Sequence, residues 1–366
     1  MKKILIVTHW YYPRSVPRAF RAKELVDELN QKGYKVDILV GDYKEKFNAS
    51  ELPKITKEKI KFNKNSRYSN NYLLQKIKKI SEYFIGERFL ISSGAYIYKN
   101  LDIANYDVII SIGLPFYIHL VTAMKIKVKK FKGISIADWS DPFYKSNIKV
   151  APYFRYLQKF TCTQFSFNVS PTKKTESYFS EYTNKKIEII PQGFNFEKIK
   201  INNYTPNEIT KFGYAGIFYE DIRNPEKLLE ALTTINKDFV FVLFTVDHGA
   251  IYQNVLLKYK EILGNKLEIY GLIPREECIQ KMSQFDFLIN LDNVTQNQVP
   301  SKLIDYTLTK RPILTVPSDK VNISELKNFL SGDYSKQTVI DINSFDIKNV
   351  VKKFIDLIEN GEKNGE

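Results

Sequence analysis

Twice along this chain, short β-branched apolar runs alternate with segments of helical length. That repeated alternation restricts the fold to layered α/β domains with parallel sheets. The first series is KILIVT (3–8), KVDILV (35–40), DVIISI (107–112), ISIAD (134–138), FSFNVS (165–170) and IEIIP (187–191), with helical periodicity at 18–32, 116–130 and 172–181. In the helix at 18–32, Phe20, Leu25 and Leu29 fall near helical spacing and Gly33 supplies a stop. The second series is FGYAG (212–216), FVFVLFTV (239–246), LEIYG (267–271), FDFLINL (285–291), PILTV (312–316) and TVIDI (338–342). Strands that are apolar throughout are expected to be covered by helices on both faces. The fold class expected is therefore α/β, with two doubly wound Rossmann-like domains facing across a cleft. Polar, turn-rich residues 191–211 mark the join. The expected domains are 1–192 and 193–345, followed by a helix and tail at 346–366 that packs back on the first domain. That helix carries Ile347, Val350, Val351, Phe354, Ile355 and Ile358 on one stripe, with Ser344 as its expected cap.

Charge divides the chain unevenly. Residues 1–190 hold 34 Lys and Arg against 17 Asp and Glu, while the remainder is slightly acidic. An anionic partner for the first half follows: acidic lipid headgroups, a lipid pyrophosphate or nucleic acid. Two basic amphipathic stretches lie there. One sets Leu73, Leu74, Ile77, Ile80 and Phe84 against Lys76, Lys78 and Lys79. The other interleaves Lys125, Lys127, Lys129, Lys130 and Lys132 with Ile126, Val128 and Phe131. Such stretches fit a membrane surface, or else a solvated helix face backed by core residues. No run is long enough to span a bilayer. The opening apolar run ends at His9 without a cleavage site and reads as a strand rather than an export signal. Cys162 and Cys278 lie too far apart for a disulfide framework or zinc site. The expectation is a cytoplasmic protein, peripheral at the inner face of the plasma membrane, with no resident metal or cofactor.

The segment QNQVPSKLIDYTLTKRPIL (296–314) joins two expected strands. Pro300 suits a first helical turn and Ser301 its cap. Ser301, Lys302 and Asp305 then share a face. A helix start with free N–H groups, a hydroxyl and a lysine suits a diphosphate, and a carboxylate one turn on suits a sugar hydroxyl pair. Asp138 and Asp141 lie past a strand end, where they serve as bases or cap the turn at Pro142. His119 reads as a packed histidine, and His9 ends the first strand on the ligand-binding edge.

Several ordered segments resemble the retaining glycosyltransferases of the GT4-like group, whose two-domain fold is called GT-B. The matches in the second half are Tyr214, Ala215, Gly216, Arg223 and Pro225, then Gly271, then Val299, Pro300, Ser301, Lys302, Leu303 and Tyr306. In the first half, DVIISIGLPFYIHL with SIADWSDPF, NVSPTKKTESYF and IPQGFNFEKI resemble family segments. The resemblance covers most of the chain, with residues 43–100 the poorest match. It implies donor-binding residues Gly216, Arg223, Gly271, Asn297, Val299, Pro300, Ser301, Lys302 and Asp305, and it raises His119 beside Asp138, Asp141 and His9 as catalytic candidates. The chain departs from the pattern in three places. Asn297 and Asp305 stand where a glutamate pair is usual, and Ile217 stands where an arginine is usual. HWYYPRSVPRAFR (9–21) replaces a glycine pair, which points Arg14, Arg18 or Arg21 at the acceptor or a phosphate. The implied function is transfer of a sugar from a nucleotide sugar to a lipid-linked or polysaccharide acceptor in cell-surface glycan synthesis, at an anionic membrane and with no nucleic acid. A sugar-nucleotide epimerase of the same shape and a non-enzymatic nucleic-acid-binding protein are the alternatives. No recognisable nucleic-acid module is present, and the basic stretches are aliphatic rather than aromatic.

Overall fold

The computed structural model describes residues 2–14, 16–48, 72–87, 89–140, 143–144, 149–197, 199–221, 223–292 and 301–363. The chain divides into two compact units, Met1–Phe194 with Ser344–Glu366, and Asn195–Asn343.

The first unit is built on strands β1 (Lys3–Thr8), β2 (Lys35–Val40), β3 (Glu45–Asn48), β4 (Val108–Ile112), β5 (Ile134–Asp138), β6 (Phe167–Ser170) and β7 (Ile187–Ile189). Their order across the sheet is β3-β2-β1-β4-β5-β6-β7. Every pairing is parallel except that of β3 with β2, an edge strand absent from the expected series. The helices are α1 (Pro17–Gln31), α2 (Tyr72–Ile85), α3 (Phe89–Asn100), α4 (Tyr117–Lys129), α5 (Phe154–Gln164) and α6 (Lys173–Ser180). Strands β4 and β5 are buried along their whole length, because helices cover both sheet faces.

Helix α1 starts on Pro17, whose fixed φ suits a first turn, and stops at Gly33, whose φ of +87° needs no Cβ accommodation. Its buried stripe is Ala22, Leu25, Val26 and Leu29. Phe20, expected on that stripe, is instead 52% exposed. The correction follows from the helical angle, which turns Ala19 and Ala22 rather than Phe20 inward, where both are buried.

In the second unit, strands β8 (Thr210–Ala215), β9 (Phe239–Phe244), β10 (Leu267–Tyr270), β11 (Phe287–Asp292) and β12 (Ile313–Pro317) form an all-parallel sheet of order β10-β9-β8-β11-β12. Helices α7 (Glu226–Thr233), α8 (Leu257–Leu263), α9 (Arg275–Met282), α10 (Ser301–Leu308) and α11 (Ile323–Leu330) cover it. The strand expected at 338–342 is absent. Thr338 donates one backbone bond to Ile313 (2.8 Å) and its hydroxyl meets that of Thr315 (2.7 Å), while Val339 is 83% exposed. Side-chain hydroxyls take over from a ladder, and the segment's apolar alternation has no second core face to fill. At the other end, Asp286 gathers the Tyr204 hydroxyl (2.5 Å), both Asn207 nitrogens (3.3 and 3.1 Å) and Lys211 N (2.7 Å), which fastens the polar entry segment to the sheet.

Residues 344–366 belong to the first unit. Their helix, α12 (Ile347–Lys363), lays Ile347, Val350, Val351, Phe354, Leu357 and Ile358 into the core shared with α1 and the sheet. Its cap is Asp346, which accepts Lys348 N at 2.9 Å, rather than the expected Ser344. The cap sits two residues later because a 3-10 turn occupies Asn343–Phe345, and Phe194 exchanges backbone bonds with Phe345 and Ile347 (2.9 and 3.0 Å) where the helix begins.

Candidate functional site

In a parallel sheet the chain leaves each strand at one common edge, and ligands collect where strand order reverses. In the second unit that place lies between β8, whose chain continues to β9 and β10, and β11, whose chain continues to β12. The residues there interlock. Tyr306 of α10 is buried, accepts Ala215 N at 2.8 Å and donates to Ala215 O at 3.2 Å, so α10 is pinned to the end of β8. The next residue, Gly216, has φ +140°, and a Cβ there would lie 3.2 Å from the Tyr214 hydroxyl. Lys302, in the first turn of α10, donates to Leu291 O (3.2 Å) and holds its ammonium 4.7 Å from the centre of the Tyr214 ring. Arg223 hydrogen-bonds the Tyr214 hydroxyl and donates to Ile217 O at 3.4 Å. One tyrosine thus has a lysine over its face and an arginine at its hydroxyl.

Burial, with the Arg223 guanidinium next, pushes the Lys302 ammonium down to about 7, against an opposing pull from Asp292. A lysine depressed by burial and by a neighbouring guanidinium is an arrangement an anion would relieve. Ser301 opens α10 by its backbone. Asn297, Val299 and Pro300 lie outside the described residues. Asp305 does not share a partner with Lys302. It accepts Arg275 Nη2 (2.5 Å) and Nε (3.0 Å), and burial raises its carboxyl despite that guanidinium. The pair ties α10 to the start of α9. Gly271 directly follows β10, and a Cβ there would meet Asp247 at an ordinary 3.6 Å. Beside this cluster, a cavity of about 270 Å³ opens at the ends of β8 and β9, lined among others by Ile217, Tyr219, Glu220, Thr245, His248 and Tyr252. Sequence reasoning missed it, although Gly249 after a strand end was a signal for a loop of this kind.

The corresponding reversal in the first unit lies between β1 and β4. His9 follows β1 and bonds the Tyr117 hydroxyl through Nδ1 at 2.7 Å. His119, in the first turn of α4, is buried with Nδ1 on the Ser111 hydroxyl (2.7 Å), its ring 4.1 Å from that of Trp139 and its Nε2 without a hydrogen-bond partner among the described residues. Burial, then the Arg18 charge, lowers it to about 3, so it is neutral. Asp138 is fully enclosed: Arg21 Nε lies at 2.9 Å and Arg18 Nη2 at 3.4 Å. Burial alone would raise its carboxyl, but the two guanidiniums overrule that and hold it below the usual range. Arg18 also donates to Gly113 O and Asp138 O, and Arg21 to Pro191 O at 2.8 Å. The structure therefore gives Arg18 and Arg21, expected to face an acceptor or phosphate, protein partners in the interior. Arg14 is partly exposed and pairs with Asp42 at 2.6 Å. Asp141 lies outside the described residues. Glu87, which sequence reasoning did not single out, accepts Tyr117 N at 3.3 Å at the start of α4, and burial pushes its carboxyl up to about 7 against that bond. Among the described residues, no three His, Cys, Asp or Glu side chains group as metal ligands.

No family model and no curated protein matches this chain. Solved structures do. A glycosyltransferase from Rickettsia africae ESF-5 superposes with a TM-score of 0.61 at 13% identity, over 99% of each chain. The apo lipopolysaccharide outer core galactosyltransferase WaaB gives 0.57 at 12%, over 98% of this chain and 99% of its own. An alpha-glucosyltransferase in complex with UDP and a 13-mer DNA containing a HMU base gives 0.56 at 9%, again over 98% and 99%. At such identities the likeness is one of fold, and the fold is GT-B, with two parallel-sheet α/β units.

Proposed function

We propose that this chain is a retaining glycosyltransferase. Its second unit holds a nucleotide sugar, and its first unit takes a lipid-linked or polysaccharide acceptor in cell-surface glycan synthesis. The observation that carries the reading is the cluster of Lys302, Arg223 and Tyr214 at the strand-order reversal of the second sheet. Cleaving a sugar–phosphate bond builds negative charge on the departing diphosphate. Cations already in place before the reaction stabilise that charge without reorganising. Lys302 and Arg223, with the amides at the start of α10, fill that role, and the proposed chemistry uses no resident metal or cofactor. A similar fold is recorded with UDP, which supports a nucleotide as the ligand class. The anomeric outcome and the acceptor class rest on the resemblance of the sequence motifs. Attachment to the inner face of an anionic membrane is part of the proposal, supported by the basic first half. Among the described residues no helix is long and apolar enough to cross a membrane.

The test is a thermal-shift panel of UDP, GDP, dTDP, CMP and their sugars. One nucleotide class should raise the melting temperature selectively. Lys302→Met should remove most of that gain. A protein that no nucleotide stabilises, or a variant that keeps the full gain, would sink the donor-site reading.

A further inference from the structure

Apolar side chains are exposed in unusual density around one corner of the first unit. Ile80 and Phe84, one turn apart on α2, are 58% and 55% exposed, and Ile91 at the start of α3 is 67% exposed. The Tyr83 ring meets Phe84 edge-on at 5.0 Å. Backbone contacts bring the start of α5 alongside: Ala151 N donates to Tyr83 O at 2.9 Å, and a Cβ on Gly86 would lie 2.9 Å from the Phe154 ring. That adds Tyr153, stacked on Phe154 at 4.7 Å, and Tyr156, 72% exposed. Exposed Lys76, Lys79, Arg155 and Lys159 flank these residues. Exposed isoleucine and phenylalanine together with tyrosines and basic residues supply the side-chain types a bilayer surface takes, for acyl chains, the interface and acidic headgroups respectively.

The other basic stretch, at 123–133, is built differently. Ala123 and Ile126 are core residues, Lys125 donates to Tyr98 O at 2.7 Å, and Lys127 lies over the Phe160 ring at 5.7 Å. Two of its five lysines engage neighbouring helices, and Lys129, Lys130 and Lys132 are exposed beside the exposed Val128.

We propose that the corner formed by the end of α2, the start of α3 and the start of α5 is the surface through which this protein docks on an anionic lipid bilayer, with Ile80, Phe84 and Ile91 inserted below the headgroups. The inference rests on the membrane part of the preceding reading and names its surface. It is independent of the donor site. Charge complementarity selects lipid over a second copy of the chain, since identical faces would oppose lysine with lysine.

The experiment is co-sedimentation of the full chain with vesicles of phosphatidylglycerol and phosphatidylcholine in equal parts, and with phosphatidylcholine alone. Wild type should bind the anionic vesicles and release at high salt. Ile80→Glu with Phe84→Glu should abolish binding, and Ile91→Glu alone should weaken it at least tenfold. Lys76→Gln with Lys79→Gln should weaken it roughly 30-fold, at about 1 kcal/mol per charge. Ile262→Glu, an equally exposed site on α8, should leave binding unchanged. The lysine pair is solvent-facing, so it keeps the test open should the double glutamate variant melt early. Equal binding by wild type and the α2 variants overturns the surface and leaves membrane attachment standing. No vesicle binding by wild type overturns both. A change in oligomeric state instead of vesicle binding assigns the corner to a second copy and overturns the lipid proposal. Nucleotide stabilisation, read separately, should be unaltered in every variant.

Discussion

At the residue scale, Lys302 makes the most specific claim. Its ammonium is pushed down to about 7, well below the ordinary lysine range, by burial and by Arg223. Below that pH it is charged and attracts a diphosphate, and above it the attraction fades. Donor affinity should therefore fall as pH rises from 6 to 9, by up to about tenfold per unit. Isothermal titration with a nucleotide sugar, whose diphosphate keeps its charge across that range, reads the slope directly. Lys302→Met should give a flat profile. Stability without ligand carries the opposite test. Between 7 and the unfolded-state value the folded chain binds fewer protons, so lowering pH through that window destabilises it, and Lys302→Met should remove the dependence. Part of this cluster was legible in sequence, because helix starts and strand ends announce themselves locally, and Lys302 and Arg223 each lie near one. Asp305 shows where legibility stops. Its partner Arg275 is thirty residues away, and only the packing of α9 beside α10 brings them together. Asp138 is the same case at longer range, with Arg21 and Arg18 reaching it from the other side of the strand reversal. Local pattern shows a charged residue at a strand end, but not whether the fold leaves it open or encloses it.

Among elements, α12 is the most informative. Its apolar stripe was readable from periodicity, since six apolar residues at helical spacing need a core whatever it is. The cap was misread because a 3-10 turn over Asn343–Phe345 comes before the helix, and the bonds at Phe194 set where the helix begins. Helix α12 completes the core of a unit whose other members lie more than 150 residues earlier, and Phe354 also carries the Arg21 guanidinium 5.2 Å over its ring. Phe354→Ala should cost about 3–5 kcal/mol, as for large-to-small changes at other buried aromatics. It should also loosen the Arg21–Asp138 pair. Urea melts followed by probes placed in each unit would show the loss confined to the first. An equal loss in both units, or none, contradicts the assignment. The missing strand at 338–342 carries the converse lesson: alternation predicts a strand only where a neighbour offers a ladder.

For the whole molecule, the two series of strands imply two units with parallel sheets, as the fold has them. The edge strand β3 and the fine composition of each reversal point were not legible, because they depend on contacts between distant segments. One feature of that layout governs how the protein comes into being. The first unit needs residues 344–366, whereas the second is an uninterrupted stretch, Asn195–Asn343. During synthesis the early segments emerge first but cannot close their core, and the later-made unit can finish ahead of them, reversing the usual order of vectorial folding. Pulse proteolysis of ribosome-bound chains halted after residue 343 has left the exit tunnel, but before α12 has, should find 195–343 protected and 1–194 readily cut. Early protection of the amino-terminal segment would mean that its core can do without its last helix. If the order holds, a pause near the end of translation leaves the basic, apolar-faced half exposed to chaperones and lipid while its partner is already mature.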